Sequence, residues 1–219
     1  DVAAATRKGI VVMNTPDANT FSTAEHTISL LMSMARHVPA ADASMRAGKW
    51  EKSKFLGCQL TGKTLGVLGL GRIGREVARR AANGLDMKVV GYDPVLAPTA
   101  AAQLGIESFA SVDEILPKCD FITVHTPLTE QTKDMIGAKQ VALLPKGARV
   151  INCARGGIIN EQAVIDGINS GHLAGAAGVA ATAAAGHRRR GRARRVRARA
   201  HAHRRDRRHV ARVRDVAAH

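Results

Sequence analysis

A glycine-rich segment at residues 69–74 has the spacing that holds the diphosphate of a dinucleotide. It reads Gly-Leu-Gly-Arg-Ile-Gly and joins an apolar, strand-like run to a segment of helical period. In this G-x-G-x-x-G pattern Gly69 permits a tight turn, Gly71 lets the backbone approach a diphosphate, and Gly74 allows close helix packing. The first amides of the helix would face the phosphates. The alternative is that the glycines serve only a turn.

An acidic residue follows this loop at the distance expected for a dinucleotide site. Asp93 lies 19 residues after Gly74, at the end of the next apolar run. Its carboxylate could accept hydrogen bonds from the adenosine ribose hydroxyls and would repel a 2′-phosphate. The sequence therefore favours NAD over NADP.

Two further strand ends carry polar residues that would reach the same crevice. Residues 121–128 end in His-Thr-Pro-Leu, and residues 150–157 end in Asn-Cys-Ala-Arg-Gly-Gly. Arg155, just past a strand, could aim its two-pronged guanidinium at a carboxylate in the crevice. From spacing alone, a surface arginine that caps a helix or pairs with Glu161 explains the pattern equally well.

The elements that would position these residues alternate regularly from residue 64. We predict strands at 64–69, 88–92, 107–109, 120–124, 148–152 and 173–177, and helices at 72–84, 99–104, 111–116, 136–144 and 160–170. Strands separated by helices of this length indicate βαβ units. The fold class is therefore α/β, a doubly wound parallel sheet of six strands of the Rossmann-like, nucleotide-binding type.

The first sixty residues give weaker signals. We predict a short buried strand at 10–13 and a helix that starts at a capping box formed by Ser22 and Glu25 and ends at Pro39. A second helix should follow at about 40–47. We expect Trp50, the only tryptophan, to be a packing anchor.

The net charge of +15 is concentrated at one end of the chain. Residues 187–219 contain 14 Arg and 2 Asp, whereas the other 186 residues are nearly neutral, with 19 basic and 16 acidic side chains. Because residues 179–219 lack large apolar side chains, we expect this Ala/Arg/His-rich tail to be disordered. It lacks aromatic side chains for base stacking, so any nucleic-acid binding would be non-specific. Its histidines have no diagnostic metal-ligand spacing, and we predict no metal site.

Other compositional features narrow the class of protein. Cys58, Cys119 and Cys153 are odd in number and widely spaced, which argues against a disulfide framework and favours the cytoplasm. No apolar run approaches the roughly 20 residues of a transmembrane helix, and no leader sequence is visible.

Several segments together resemble the D-isomer-specific 2-hydroxyacid dehydrogenases. They are residues 5–10, Ala-Thr-Arg-Lys-Gly-Ile; 69–76, Gly-Leu-Gly-Arg-Ile-Gly-Arg-Glu; 91–94, Gly-Tyr-Asp-Pro; 123–128, Thr-Val-His-Thr-Pro-Leu; and 152–157, Asn-Cys-Ala-Arg-Gly-Gly. The resemblance is strongest to the members that oxidise 3-phosphoglycerate at C2 to 3-phosphohydroxypyruvate, the first step of serine biosynthesis. It implies a subunit with a substrate domain and an NAD-binding domain, usually in a homo-oligomer.

The resemblance also implies roles for individual residues. Arg72 and Ile73 would cover the diphosphate, and Thr126 would lie along the cofactor. Cys153 and Ala154 would offer backbone contacts near the nicotinamide. Arg155 would grip the carboxylate and carbonyl oxygen of the substrate, as the one catalytic residue among the matched positions.

The pattern is incomplete at both ends. Residues 1–16 would be the C-terminal remnant of the substrate domain and 17–178 the NAD-binding domain. Family members continue with an Asp near the nicotinamide, then a Glu and a His general base, and nothing after Gly178 matches these segments. We therefore expect a chain truncated at both ends, an aberrant reading over 179–219, and no turnover.

Two alternatives stay open. His125 is the only histidine beside the predicted crevice and could replace the missing base, although a strand-end residue that flanks the ribose is the simpler interpretation. For the function, the chain could instead be another D-2-hydroxyacid dehydrogenase of the family, or an NAD-sensing co-repressor, as some relatives of this fold are. Residues 7–9 and 91–94 favour the metabolic enzyme.

Overall fold

The computed structural model describes residues 1–15 and 17–178, and these contain a six-stranded parallel sheet. The strands are β1 (Thr64–Leu68), β2 (Lys88–Tyr92), β3 (Glu107–Ser108), β4 (Phe121–Val124), β5 (Ala148–Asn152) and β6 (Leu173–Gly178). Their order is β3-β2-β1-β4-β5-β6, and every pair is parallel. The predicted fold class and all six strands are confirmed.

Eight α-helices accompany the sheet in the described ranges. They are α1 (Val2–Arg7), α2 (Thr20–Ala35), α3 (Val38–Arg46), α4 (Arg72–Leu85), α5 (Pro98–Gln103), α6 (Val112–Ile115), α7 (Ala138–Leu143) and α8 (Glu161–Asn169). The five helices predicted after residue 64 are confirmed. None of the described helices has the length and hydrophobicity to cross a bilayer.

The core lies on both faces of the sheet. One face packs against α2, α4 and α5 through Leu31, Val77 and other buried apolar side chains. The opposite face packs against α6, α7 and α8, with Val141 and Val164 among the buried residues. Because both faces are covered, the central strands are continuous apolar runs rather than alternating ones.

The strand order reverses between β1 and β4. The connection after β1 uses α4 on one face, whereas the segment after β4 leads to α7 on the other face. The two connections therefore diverge and leave a crevice at the carboxyl ends of these strands. Open α/β sheets bind their ligands at this kind of switch point.

The structure corrects three predictions about the first sixty residues. Residues 10–13 form no strand, and Val11 and Met13 are 79% and 87% exposed, because no strand of the described chain pairs with them. Helix α2 starts at Thr20, not at a Ser22 capping box, since the Ser22 hydroxyl donates to Asn19 O. It ends at Ala35 rather than at Pro39, which lies in α3. Trp50 is 78% exposed and anchors no core.

Residues 36–57 form an excursion from the body of the domain, which we call the arm. It contains α3 and a short 3₁₀ turn at Lys52–Phe55, and neither element has a buried residue. Its two ends meet, since the amide of Cys58 donates to Ala35 O at 2.9 Å. Helix α3 is the second helix predicted at about 40–47, and Pro39 lies in its first turn.

Candidate dinucleotide site

The glycine loop turns sharply at Gly69, between β1 and α4. Gly69 has a φ of +97°, a conformation that residues with a Cβ rarely adopt. Its amide donates to Tyr92 O at 2.8 Å, which ties the turn to β2. A Cβ on residue 69 would lie 2.8 Å from the carbonyl carbon of His125, which follows β4. The close approach of this backbone therefore also requires a glycine at position 69.

The other two glycines have different surroundings. Gly71 precedes α4 with ordinary extended φ and ψ, and a Cβ on it would meet no atom within 4 Å. The space beside this residue is therefore open to a ligand. A Cβ on Gly74 would collide with the carbonyl oxygen of Gly69, so Gly74 allows α4 to pack against the loop.

Asp93 lies where the sequence predicted, beyond the end of β2. Its Oδ2 accepts a hydrogen bond from the amide of Leu70 at 2.8 Å. Its Oδ1 accepts from the amides of Val95 and Leu96 at 2.9 and 3.1 Å. The carboxylate thus holds the glycine loop and the loop after β2 together. Because each carboxylate oxygen can accept more than one bond, Asp93 keeps acceptor capacity for a ligand hydroxyl.

Two residues at the end of β4 line the same crevice. Thr126 is buried, and its Oγ1 has no hydrogen-bond partner among the described residues. A buried hydroxyl without a partner is costly, which suggests that a ligand atom completes its bonding. His125 contacts Thr123 Oγ1 through Nε2 at 3.0 Å, and burial lowers the pKa of His125 to about 4. At neutral pH this imidazole is uncharged and a weak base.

The loop after β5 is shaped by a buried asparagine. Asn152 accepts from the amide of Ala154 at 3.0 Å and donates to Arg155 O at 2.8 Å. Arg155 is exposed, and its Nη1 contacts Ala154 O at 2.8 Å rather than Glu161. Burial raises the pKa of the Cys153 thiol, which does not favour a nucleophilic role. Sequence analysis did not assign a role to Asn152.

Two arginines lie in the first turn of α4, directly after the glycine loop. Arg72, at the start of the helix, forms an ion pair with Asp17, with Nε 3.0 Å from Oδ1. Arg75 donates from Nε to Leu70 O at 2.6 Å and lines the crevice. Neither contact was predicted. An exposed arginine after a glycine motif gives no sequence signal that separates a ligand contact from a solvated side chain.

The crevice is a cavity of about 770 Å³ lined by Gly69, Gly71, Arg75, Asp93 and Thr126, together with apolar and polar side chains from the ends of β2 and β4. Three observations fit a dinucleotide: the open space at Gly71, the unsatisfied hydroxyl of Thr126 and the acceptor capacity of Asp93. The structure therefore brings together the predicted residues of β1, β2 and β4. Cys153, Ala154 and Arg155 are at the end of β5, which pairs with β4.

This geometry defines a nucleotide-binding domain of the Rossmann type. Comparison with known families is specific: residues 28–182 match the NAD binding domain of the D-isomer specific 2-hydroxyacid dehydrogenases. The chain belongs to this family, and NAD is the cofactor of the matched domain.

Curated relatives and solved structures agree with this assignment. D-3-phosphoglycerate dehydrogenase from Rattus norvegicus is 54% identical over 177 residues, which cover 81% of this chain and 33% of the relative. The enzyme of the same name from Methanocaldococcus jannaschii is 46% identical, with 81% and 34% covered. The structure of a glyoxylate reductase from Paecilomyes thermophila has a TM-score of 0.72 and 36% identity, covering 81% of this chain and 53% of that one. The chain thus spans about one third of the length of these curated relatives.

Proposed function

We propose that this chain is the NAD-binding part of a D-3-phosphoglycerate dehydrogenase, which oxidises 3-phosphoglycerate to 3-phosphohydroxypyruvate. The observation that carries the proposal is the position of Asp93, Thr126 and the glycine loop around one cavity, with Arg155 at the end of the strand beside β4. The curated relatives described above bear the name of this activity. Bound NAD would accept the hydride from C2 of the substrate.

Each residue of the crevice has a distinct part in this proposal. The amides of Arg72 and Ile73 bind the diphosphate at the start of α4, because these first amides have no partner within the helix. The Asp93 carboxylate accepts hydrogen bonds from the adenosine ribose. The Thr126 hydroxyl bonds to the cofactor and so loses its unsatisfied state. The backbone of Cys153 and Ala154 lines the nicotinamide end.

Arg155 is the residue that we assign to the substrate. Its guanidinium can bind a carboxylate through two parallel hydrogen bonds, which fixes the orientation of the substrate. The side chain of Asn152 bonds to the amide of Ala154 and to the carbonyl oxygen of Arg155, and these bonds fix the backbone that carries the guanidinium. Oxidation also needs a base for the hydroxyl proton. The lowered pKa of His125 and its contact with Thr123 support a role beside the ribose rather than as this base.

The domain boundaries are part of the proposal. Residues 17–178 form the NAD-binding domain, and residues 1–16 belong to the substrate domain. The exposure of the side chains of α1 and of residues 10–13 supports this division, since none of these residues is buried in the core of the described domain. The tail at 179–219 lies outside the described residues, and so do the predictions made for it.

We also propose that the protein is a cytoplasmic homo-oligomer. Val38, Met45, Trp50 and Leu56 expose apolar surface on the arm, with Trp50 and Leu56 more than three-quarters exposed. Clustered apolar exposure is typical of an interaction surface. Three free cysteines in the described ranges fit a reducing compartment.

Calorimetric titration of the 219-residue chain with NAD tests the cofactor part of the proposal. The substrate part is tested in a chimera, in which the 177 matched residues replace their counterpart in the rat relative. We expect the chimera to reduce NAD with 3-phosphoglycerate, and its Arg155→Gln variant to lose at least about tenfold in kcat/KM. A chimera that binds NAD but prefers another 2-hydroxy acid would contradict the proposed substrate.

A further inference from the structure

The arginines of α4 differ in how their charges are compensated. Three of them contact carboxylates: Arg72 contacts Asp17, Arg79 contacts Glu76, and Arg80 contacts Glu25 and Glu76. In the described part of the chain, Arg75 has no ion pair with an acidic residue. This arginine is also the one of the four whose side chain lines the cavity at the carboxyl edge of the sheet.

A single hydrogen bond holds the side chain of Arg75 in place. Its Nε donates to Leu70 O at 2.6 Å, while the amide of the same residue donates to Asp93. The backbone of Leu70 thus bonds to the Arg75 guanidinium on one side and to the Asp93 carboxylate on the other. Both of these residues line the cavity. The terminal Nη1 and Nη2 atoms of Arg75 form no hydrogen bond among the described residues. They are available to a ligand.

The geometry points to Arg75 as a phosphate-binding residue of the dinucleotide site, which donates from its terminal nitrogens to a phosphate of the bound cofactor. This inference rests on the proposed function, because it needs a dinucleotide in the crevice. A guanidinium matches the geometry of a phosphate, and a charged pair of this kind is stronger than a neutral hydrogen bond. The bond to Leu70 O orients the guanidinium in advance, so less conformational entropy is lost on binding.

Two phosphates can supply this chemistry. One is the diphosphate that NAD and NADP share, which would lie beside Gly71. The other is the 2′-phosphate of NADP, which would lie on the side of Asp93. In the second case Arg75 would offset the repulsion from the Asp93 carboxylate and make NADP a tolerated ligand.

Calorimetric titration of the full chain and its Arg75→Gln variant separates these cases. NAD and NADP serve as the phosphate-bearing probes, and adenosine serves as the probe without phosphate. We expect Arg75→Gln to weaken binding of NAD by about fivefold to twentyfold if the diphosphate is the partner. We expect a loss confined to NADP if the 2′-phosphate is the partner. Adenosine binding should be unchanged in both cases.

Two further variants test whether a loss of affinity in Arg75→Gln comes from the lost phosphate contact or from a general disturbance of α4. Arg79→Gln removes the same charge one turn further along α4, from a side chain that does not line this cavity. It should bind NAD and NADP as the wild type does. Arg75→Lys keeps the charge but lacks the planar fork, and should retain an intermediate affinity. The thermal unfolding midpoints of all variants should agree with that of the wild type.

The inference is overturned if Arg75→Gln binds both dinucleotides as tightly as the wild-type chain, or if Arg79→Gln loses as much affinity as Arg75→Gln. In either result the proposed function stands, since the wild-type chain still binds NAD. A wild-type chain that binds no NAD would overturn the proposed function and this inference with it. A weaker dependence of NAD affinity on salt in Arg75→Gln would agree with the loss of a phosphate contact.

Discussion

The amide of Leu70 donates a 2.8 Å hydrogen bond to Oδ2 of Asp93, and this bond ties the glycine loop to the residue that follows β2. The other carboxylate oxygen accepts from the amides of Val95 and Leu96. Asp93 therefore organises two loops, and in the proposed function it also offers an acceptor to the adenosine ribose. This dual role makes it a sensitive position in the crevice.

Replacement of Asp93 by alanine should weaken NAD binding by at least about tenfold, because it removes both the ribose acceptor and the support for Leu70. Discrimination against NADP should weaken as well, since the repulsive charge is lost. Titration with both dinucleotides measures these effects. Asp93→Asn is the matched variant: it removes the charge but keeps an oxygen acceptor. Unchanged affinities in Asp93→Ala would show that the ribose role is wrong.

Substitution by alanine should affect mainly the stability at Gly69 and mainly the NAD affinity at Gly71. Gly69→Ala is expected to lower the free energy of unfolding by at least about 2 kcal/mol, because its φ is positive and the new methyl group meets the backbone of His125. Gly71→Ala should change stability by less than about 0.5 kcal/mol, since its backbone is ordinary and the space is open.

The methyl group of Gly71→Ala would instead occupy the space that we assign to the diphosphate. NAD affinity should fall by about tenfold or more in this stable variant. Denaturant unfolding and calorimetric titration measure the two properties separately. A Gly71→Ala chain that binds NAD normally would place the diphosphate elsewhere.

His125 should make the chain sensitive to acid. Its pKa is about 4 in the folded state against an ordinary value of 6.5. Between these values the unfolded chain binds more protons, so the contribution of this residue is complete above about pH 6.5 and is lost as the pH falls towards 4. The loss amounts to up to about 3 kcal/mol.

Denaturant unfolding at pH 7.5 and pH 4.5 measures this effect. His125→Asn should be less destabilised by acid than the wild type is. His26→Asn removes an exposed histidine of α2 and should follow the wild type. Equal acid sensitivity of the wild type and His125→Asn would contradict the assigned burial effect.

The ion pair between Asp17 and Arg72 should compete with the cofactor. Asp17 Oδ1 lies 3.0 Å from Arg72 Nε, at the start of α4 where we place the diphosphate. Asp17→Asn removes the competing carboxylate and should therefore raise NAD affinity. Because both side chains are exposed, the pair is weak, and the gain should be only about twofold to fivefold.

The control for this prediction is Asp42→Asn. It makes the same charge change on the arm, where Asp42 pairs with Arg46 at 2.8 Å. This variant should bind NAD as the wild type does. Equal gains in both variants would assign the effect to net charge rather than to the pair.

Polar substitutions on the arm should shift the oligomeric state. Trp50→Ser and Leu56→Ser remove exposed apolar surface, and together they should raise the dissociation constant of the oligomer by about tenfold. Sedimentation velocity over a range of concentrations measures this constant. Leu104→Ser, at an exposed apolar position outside the arm, should have no such effect. A monomeric wild-type chain would contradict the proposed interface.

The sequence predicted the part of the fold whose signals are local. Buried parallel strands are apolar runs, and their helices have a clear period, so the six strands and five α-helices after residue 64 could be placed. The position of Asp93 followed from its distance to Gly74. Residues 10–13 look like a strand to the same rules, but an apolar run becomes a strand only where another strand is available to pair with it.

The contacts that the sequence did not predict depend on three-dimensional proximity. Nothing in the spacing of Asp17 and Arg72 indicates that they pair across the start of α4. The bonds from Asn152 to its own loop and from Arg75 to Leu70 O are local along the chain, but many side-chain rotamers are compatible with the same sequence. The exposure of Trp50 likewise depends on the excursion of the arm as a whole.

The bond between Cys58 and Ala35 closes the base of the arm. Because the arm leaves and rejoins the domain at one point, its length does not affect the positions of the strands in the sheet. Insertions, deletions or exchanges within residues 36–57 could therefore accumulate without any displacement of the dinucleotide crevice. If the arm is the assembly surface that we propose, its sequence can diversify separately from the cofactor chemistry.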